Sequence, residues 1–229
     1  MIKSILFGAA TAIALAAIPA SAATVAVIDD FSTQQAPITT DKSTFPAGVS
    51  STASGGGILG GTRQMTVISK QKGGGFTTSA AVSGNMSVFS NSPIGYGEVQ
   101  LGYGTVSPLA SFDLTAGGAD AFVLRVLSSD LGVDLAITAK DSLNRTSVLN
   151  SVIGASVYNT NVKYNFAGFT GTADLTDLSS LTFRFVDSDG NSDFVLDKIS
   201  TADVPLPAGG LLLVSALGAI GIRRARRKA

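Results

Sequence analysis

The chain has 229 residues, with 16 basic and 16 acidic side chains and no cysteine, histidine or tryptophan. Without cysteine no disulfide stabilises the fold. Without histidine there is no Ser-His-Asp or Cys-His nucleophilic site and no histidine-ligated zinc. Six basic residues lie at the two ends of the chain, so the part between them carries ten basic and sixteen acidic residues, a net charge of −6. This acidic balance argues against nucleic-acid binding.

Residues 1–22 have the pattern of a secretory signal peptide. Lys3 supplies a positive charge, residues 5–18 are apolar, and Ala20 and Ala22 fit the small-x-small pattern of a cleavage site. We expect signal peptidase to cut after Ala22. The alternative is an uncleaved anchor, for which the apolar run is short.

The C-terminal tail, residues 204–229, has three consecutive parts: a proline-containing motif, an uncharged run and a basic cluster. As a helix, residues 204–222 would be about 28 Å long, close to the hydrocarbon thickness of a bilayer. The positive-inside rule keeps the cluster cytoplasmic and the body on the other side. The alternative is a buried helix, but the run lacks a polar face. The motif is Val204, Pro205, Leu206, Pro207 and Ala208, and the cluster is Arg223, Arg224, Arg226, Arg227 and Lys228.

This tail resembles the PEP-CTERM class of sorting tails, and most closely the variant named for its Val-Pro-Leu-Pro-Ala motif, VPLPA-CTERM. The resemblance implies a protein exported through the inner membrane of a Gram-negative bacterium and processed there by an exosortase-type transpeptidase. It also implies a cell-surface or extracellular location after the tail is cut. In the family that this tail resembles, such tails are associated with bacteria that produce exopolysaccharide and form biofilms.

The body, residues 23–203, consists of short stretches of alternating apolar and polar residues separated by Gly, Asn, Asp and Ser. No stretch has a long helical period, so the pattern predicts an all-β fold, an antiparallel β-sandwich of the jelly-roll type. The predicted strands are residues 24–31, 62–69, 76–82, 86–89, 97–103, 110–114, 121–127, 133–139, 146–153, 162–166, 181–186 and 194–199.

Other stretches of the body are predicted to be loops or turns. Residues 32–48 are polar and broken by proline, and residues 50–61 are rich in Gly and Ser. Residues 175–178 are predicted to form one helical turn. The last two strands are predicted to close the domain as a hairpin. Within residues 62–69, Arg63 shares one face with Met65 and Val67.

The first and last strands of the body resemble those of carbohydrate-binding-module-like jelly rolls. The residues concerned are 27–31, 181–185 and 193–199. This resemblance implies the fold more than the function.

Calcium is the one metal that the acidic residues favour. Asp187, Asp189, Asn191 and Asp193 offer oxygen ligands at alternating positions, as calcium loops do. The glycine stands fourth rather than sixth, and the closing Glu of an EF-hand is missing. The alternative is a hairpin turn, for which Asp-Gly-Asn is well suited.

A second calcium hypothesis uses the ends of the body. If the first and last strands are neighbours, Asp29 or Asp30 lies near Asp197. In the modules that the body resembles, acids at these places often hold a structural calcium ion. The alternative is that these carboxylates face solvent at strand ends.

Three functions remain open from the sequence. The first is an exported surface or extracellular-matrix structural protein without enzymatic activity, and the alternative is a module that binds exopolysaccharide. The third is a secreted Asp-dependent hydrolase, although no pair of carboxylates stands out. For glycan binding the aromatic candidates are two tyrosine pairs, Tyr96 with Tyr103 and Tyr158 with Tyr164. Residues 159–161 are predicted to break the strand between the second pair.

Processing at both ends is directly testable by intact mass. Protein recovered from the producing cells is expected to begin at Ala23 and to lack the basic cluster. Replacing Pro205 and Pro207 with Ala is expected to block removal of the tail, because X-Pro bonds hold the motif out of the helix. Wild-type protein that fully retains residues 223–228 would contradict the processing hypothesis.

Calcium binding is testable by thermal melting. A site present only in the folded state stabilises that state by about 2.7 kcal/mol at a hundredfold excess over Kd. Melts with millimolar calcium and with chelator are therefore expected to differ by several degrees. Superimposable melting curves would contradict calcium binding by the folded protein.

Overall fold

Fourteen strands form two antiparallel sheets in the computed structural model, which describes residues 24–41, 43–70, 76–187 and 190–202. The two sheets pack face to face as a β-sandwich, which confirms the predicted fold class. The chain passes repeatedly from one sheet to the other, as it does in jelly rolls.

Sheet A has the strand order β11-β8-β14-β6-β5-β2. Strand β1 joins it by pairing with residues 199–202 of β14, beyond the part of β14 that pairs with β6. The bounds are β1 Thr24–Asp29, β2 Gln35–Thr40, β5 Thr78–Ser83, β6 Met86–Asn91, β8 Ala121–Ser129, β11 Val157–Asn165 and β14 Phe194–Ala202.

Sheet B has the strand order β12-β10-β9-β13-β7-β4-β3. The bounds are β3 Val49–Ser54, β4 Thr62–Ser69, β7 Gly97–Tyr103, β9 Val133–Asp141, β10 Thr146–Ile153, β12 Thr170–Gly171 and β13 Leu178–Val186.

Helical structure in the described residues is limited to three single 3-10 turns, Leu59–Gly61, Ala116–Gly118 and Phe166–Gly168. Within the same residues, no helix has the length and apolar character needed to cross a membrane. The predicted signal peptide, with Ala20 and Ala22, and the predicted sorting tail, residues 204–229, lie outside the described residues.

The core lies between the sheets and is rich in phenylalanine. Phe122 makes edge-to-face contacts with Phe166 and Phe183, with ring centroids 4.9 and 5.2 Å apart. Phe194 packs against Phe89 and Phe185 at 5.0 and 4.9 Å. All six belong to the buried core. The alternation predicted for these strands is therefore confirmed, since every second side chain faces the opposite sheet.

Two predicted loops contain strands. Strands β2 and β3 lie within residues 32–61, where the sequence favoured loops. Strand β3 has the sequence VSSTAS and pairs in continuous register with β4, from Val49 opposite Val67 to Ser54 opposite Thr62. Its side chains carry little apolar surface, so it is held mainly by backbone pairing, which hydrophobic periodicity does not detect.

Three further local predictions are wrong. Residues 110–114 form no strand, and Phe112 makes only an isolated bridge to Leu178. Residues 175–178 form no helical turn, since residues 175–177 lie in a turn and bend and Leu178 begins β13. The last two strands are not a hairpin, because β13 belongs to sheet B and β14 to sheet A. Residues 187–193 therefore connect the two sheets, and the hairpin-turn interpretation fails because alternation does not identify a strand's partner.

An ion pair between Arg63 of β4 and Asp29 of β1 lies inside the sandwich. Both side chains are completely buried, and Arg63 Nη1 is 2.8 Å from Asp29 Oδ2. The guanidinium also donates to Gln35 Oε1 and to the carbonyl oxygen of Thr33, each at 2.8 Å. The hydroxyl group of Tyr103 donates to Asp29 Oδ2 at 2.9 Å. The cluster thus joins β1 and β2 of sheet A to β4 and β7 of sheet B.

The other oxygen of Asp29 is also paired. Asp29 Oδ1 accepts a hydrogen bond from the backbone nitrogen of Phe31 at 2.9 Å. The ring of Phe31 lies 5.6 Å from the guanidinium carbon of Arg63, within the range of a cation–π contact. Burial raises the pKa of Asp29, and the attraction of Arg63 offsets only part of that shift.

Asp29→Asn is expected to lower the free energy of unfolding by about 3–5 kcal/mol, because it leaves the Arg63 cation buried without its counter-charge. Urea denaturation measures the change. Asp30→Asn is the matched control, since the Asp30 carboxylate lies nearer the surface and accepts a hydrogen bond from the backbone nitrogen of Ser32. Equal unfolding midpoints for the two variants would contradict this role for the ion pair.

Candidate functional site

The three acids of the strand-end calcium hypothesis have separate partners. Strands β1 and β14 are neighbours, as that hypothesis requires, with Asp29 opposite Ile199. Asp29 points inward to Arg63. Asp197 lies on the outer face and pairs with Arg125 at 3.2 Å. Asp30 accepts its hydrogen bond from the backbone of the following turn.

Asp187 organises the connection between the two sheets. Its side chain is buried, and Oδ1 accepts hydrogen bonds from the nitrogen of Gly190 at 2.8 Å and from Ser192 Oγ at 3.0 Å. Oδ2 accepts from the nitrogen of Ser192 at 3.0 Å and from Asn91 Nδ2 at 2.8 Å. Both carboxylate oxygens therefore bind protein donors. Asp189 lies outside the described residues.

The rest of this connection is tied to neighbouring loops. Asp193 Oδ1 accepts a hydrogen bond from the nitrogen of Asn91 at 3.1 Å. Asn191 has a φ of 68° and donates its backbone N–H to the carbonyl oxygen of Gly95 at 3.0 Å. Among the described residues, no three Asp, Glu, His or Cys side chains come close enough together to hold a metal ion. Calcium binding stays a prediction for the melting experiment.

The tyrosine pairs do not form an aromatic platform. Tyr103 and Tyr164 are buried, and the hydroxyl group of Tyr164 donates to the carbonyl oxygen of Val152 at 3.2 Å. Tyr158 and Tyr96 are exposed, the former to 66%. Strand β11 runs unbroken through residues 159–161, so the predicted break is wrong, but Tyr158 and Tyr164 differ in exposure and offer no paired rings.

A groove lies at one end of sheet B. It has a volume of about 650 Å³ and is formed where the 104–109 loop crosses the beginning of β13. The backbone nitrogen of Leu109 donates to the carbonyl oxygen of Ser179 at 2.8 Å, which fixes this loop. Its lining residues are Gly104, Thr105, Pro108, Leu109, Lys140, Ser142, Asn144, Ser179 and Ser180.

A second groove of about 320 Å³ lies further along the same two central strands, β9 and β13. Its lining combines polar and apolar residues: Asp134, Leu135, Ala136, Asn150, Ser151, Arg184 and Val186. Thr138 and Thr182 pair between the two grooves and are half-buried. The outer face of sheet B therefore presents hydroxyl groups from one groove to the other.

Arg184 is held in place on this face by Glu98. Its Nε and Nη2 atoms lie 3.0 and 2.5 Å from Glu98 Oε2, and Lys70 Nζ lies 2.6 Å from the same oxygen. Burial raises the pKa of Glu98, but hydrogen bonds from Arg184, Lys70 and Gln100 outweigh burial and hold the pKa at about 2. Glu98 is therefore ionised at neutral pH, and the cations beside it outnumber it.

The groove residues were missed from the sequence. The alternation in β9 does indicate that Asp134, Ala136, Thr138 and Lys140 share a face. Nothing in the sequence indicates that β9 lies beside β13. The sequence therefore does not predict that Lys140 lies opposite Ser180 or that Ala136 lies opposite Arg184.

Similarity to known proteins is found among solved structures and not in the sequence comparisons. No protein-family model matches the chain, and no curated protein matches it by sequence. The structure is similar to a family 11 carbohydrate-binding module of the cellulosomal cellulase Lic26A-Cel5E of Clostridium thermocellum, at 13% identity and a TM-score of 0.42, covering 80% of this chain and 98% of that one. It is also similar to a family 29 carbohydrate-binding module, at 16% identity and a TM-score of 0.32, covering 62% and 86%. A third similar structure is the agarase AgWH50C, at 12% identity and a TM-score of 0.40, covering 61% and 25%.

Proposed function

We propose that the body is a non-catalytic module that binds a polysaccharide along the outer face of sheet B. The observation that carries the proposal is the alignment of the two grooves along β9 and β13. From Lys140 to Asp134 the path follows most of β9, about 20 Å at the rise of a β-strand. An extended chain of several sugars fits a path of this length.

The chemistry of the path suits a glycan. Sugar hydroxyl groups need donors and acceptors, and Ser180, Asn150 and the Thr138–Thr182 pair supply both. Pro108 and Leu109 form an apolar wall at the first groove, against which the C–H face of a sugar ring can pack. Lys140 and Arg184 place one cation in each groove, which favours a glycan that carries acidic groups.

Binding is favoured over hydrolysis by the same lining. Glycoside hydrolysis ordinarily uses two carboxyl groups on either side of the scissile bond. Asp134 is the one carboxylate among the described residues that line the two grooves. The Asp-dependent hydrolase suggested by the acidic composition therefore has no support in this geometry.

The binding proposal includes the export predicted from the sequence. Signal peptidase would release the body after Ala22, and an exosortase-type transpeptidase would process the tail at Val204–Ala208. The protein would then meet the exopolysaccharide at the cell surface or in the extracellular matrix. A structural role there is compatible with glycan binding, because a module that holds polysaccharide also organises the matrix.

Affinity electrophoresis in gels containing the producer's own polysaccharide tests the binding site. Wild-type protein is expected to be retarded, and the double variant Lys140→Ala with Asn150→Ala to bind about tenfold or more weakly. The reason is the loss of two polar contacts of about 1 kcal/mol each. Both side chains lie on the path and make no ion pair or side-chain hydrogen bond within the described structure.

The matched control is Lys163→Ala with Asn161→Ala, the same pair of residue types on β11 of sheet A. The control is expected to be retarded like the wild type, and both double variants to melt like it. Unretarded wild-type protein would contradict glycan binding, and equal loss in both double variants would contradict its assignment to sheet B.

A further inference from the structure

The edges of the two sheets differ in a way that indicates an interaction surface. At the ends of the strand order, sheet A has β11 and β2, and sheet B has β12 and β3; β1, which is added beside β14, has two irregularities in its register. An edge strand exposes unpaired N–H and C=O groups, and proteins usually protect such edges with proline, charge, irregular backbone or short length. Three of these four edges carry such protection.

Strand β2 has the exposed Pro37 and a shift in its register with β5. Strand β11 has Asn159 at a φ of 46°, which distorts its edge, and it carries the charged side chain of Lys163. Strand β12 is two residues long. Beside β12, the carbonyl oxygen of Val152 in β10 is taken by the hydroxyl group of Tyr164.

Strand β3 has none of these features. It is six residues long, contains no proline and no charge, and keeps continuous register with β4. Its residues lie outside the set with positive φ. Ser50, Thr52 and Ser54 are exposed, and their small side chains leave the edge accessible.

We propose that β3 pairs with β3 of a second copy of this chain, antiparallel across a two-fold axis. Self-pairing suits β3 because an uncharged strand brings no like charges into opposition. Its hydroxyl groups already form hydrogen bonds with hydroxyl groups of β4. Ser50 Oγ lies 2.7 Å from Thr66 Oγ1, and Ser54 Oγ lies 3.2 Å from Thr62 Oγ1. The same Ser and Thr contacts form across a β3–β3 junction, which makes the two copies of sheet B continuous.

The pairing also sets the orientation of the two copies. Strand β1 begins and β14 ends at the same end of the sandwich, with Thr24 opposite Ala202. Antiparallel pairing turns the second copy end for end, so the ends of β14 in the two copies point in opposite directions.

Sedimentation of the protein purified from producing cells tests this pairing. Wild-type protein is expected to show a concentration-dependent dimer. Thr52→Lys and Thr52→Glu are each expected to remain monomeric at concentrations where the wild type is dimeric, because like charges meet across the two-fold axis. Mixing the two variants in equal amounts is expected to restore the dimer.

Thr160→Lys on the edge strand β11 is the matched control, since Thr160 is also an exposed threonine of a terminal strand. It is expected to dimerise like the wild type. Amide hydrogen exchange gives a second measurement: exchange in β3 is expected to slow as wild-type concentration rises, whereas exchange in β11 does not. A wild type that is monomeric throughout, or a dimer that both Thr52 variants retain, would overturn the proposal.

Discussion

The buried ion pair of Arg63 and Asp29 is the constraint on which the arrangement of the sandwich depends. A guanidinium and a carboxylate inside a protein must be fully hydrogen-bonded, because neither can be hydrated there. The required partners come from β1, from the turn that follows it, from β2 and from β7. One polar cluster thus positions strands of both sheets, where apolar packing alone would tolerate other positions. The turn at Phe31 adopts a φ of 54°, an uncommon value for a large residue, and its backbone nitrogen donates to Asp29.

The strands that hold this cluster also carry the outer polar face. In β7, Tyr103 points inward to Asp29 while Glu98 points outward to Arg184. In β4, Arg63 points inward while Thr66 faces outward and meets Ser50 of β3. The buried cluster therefore lies beneath the sheet that carries the grooves and the uncharged edge. The proposed binding path and the proposed assembly edge are compatible on one sheet, because the path runs over β9 and β13 and the edge is β3.

The fold could be predicted from the sequence wherever one face of a strand is apolar. Residues 121–127 are predicted to form a strand, and the alternating apolar residues Phe122, Leu124 and Val126 within it are all buried. Strand β3 was missed because its Ser and Thr residues show no apolar alternation. The hairpin of the last two strands was wrong because adjacent strands in sequence here belong to different sheets. The second calcium hypothesis places Asp29 near Asp197 because of its strand-end position and the resemblance to carbohydrate-binding modules. The structure pairs Asp29 with Arg63 on another strand, which sequence spacing does not show.

By itself, the sequence determined the class of the fold, the inward faces of most strands and the acidic charge of the body. These follow from the two-residue period of a β-strand and from composition, which are local properties. The tertiary structure alone decided which strands are neighbours, and hence that Lys140 and Ser180 share a groove, that Asp187 accepts its hydrogen bonds from Asn91 and its own loop, and that β3 is an edge. Such groupings depend on the pairing of distant strands. Many pairings bury nearly the same apolar surface, so the local pattern does not choose between them.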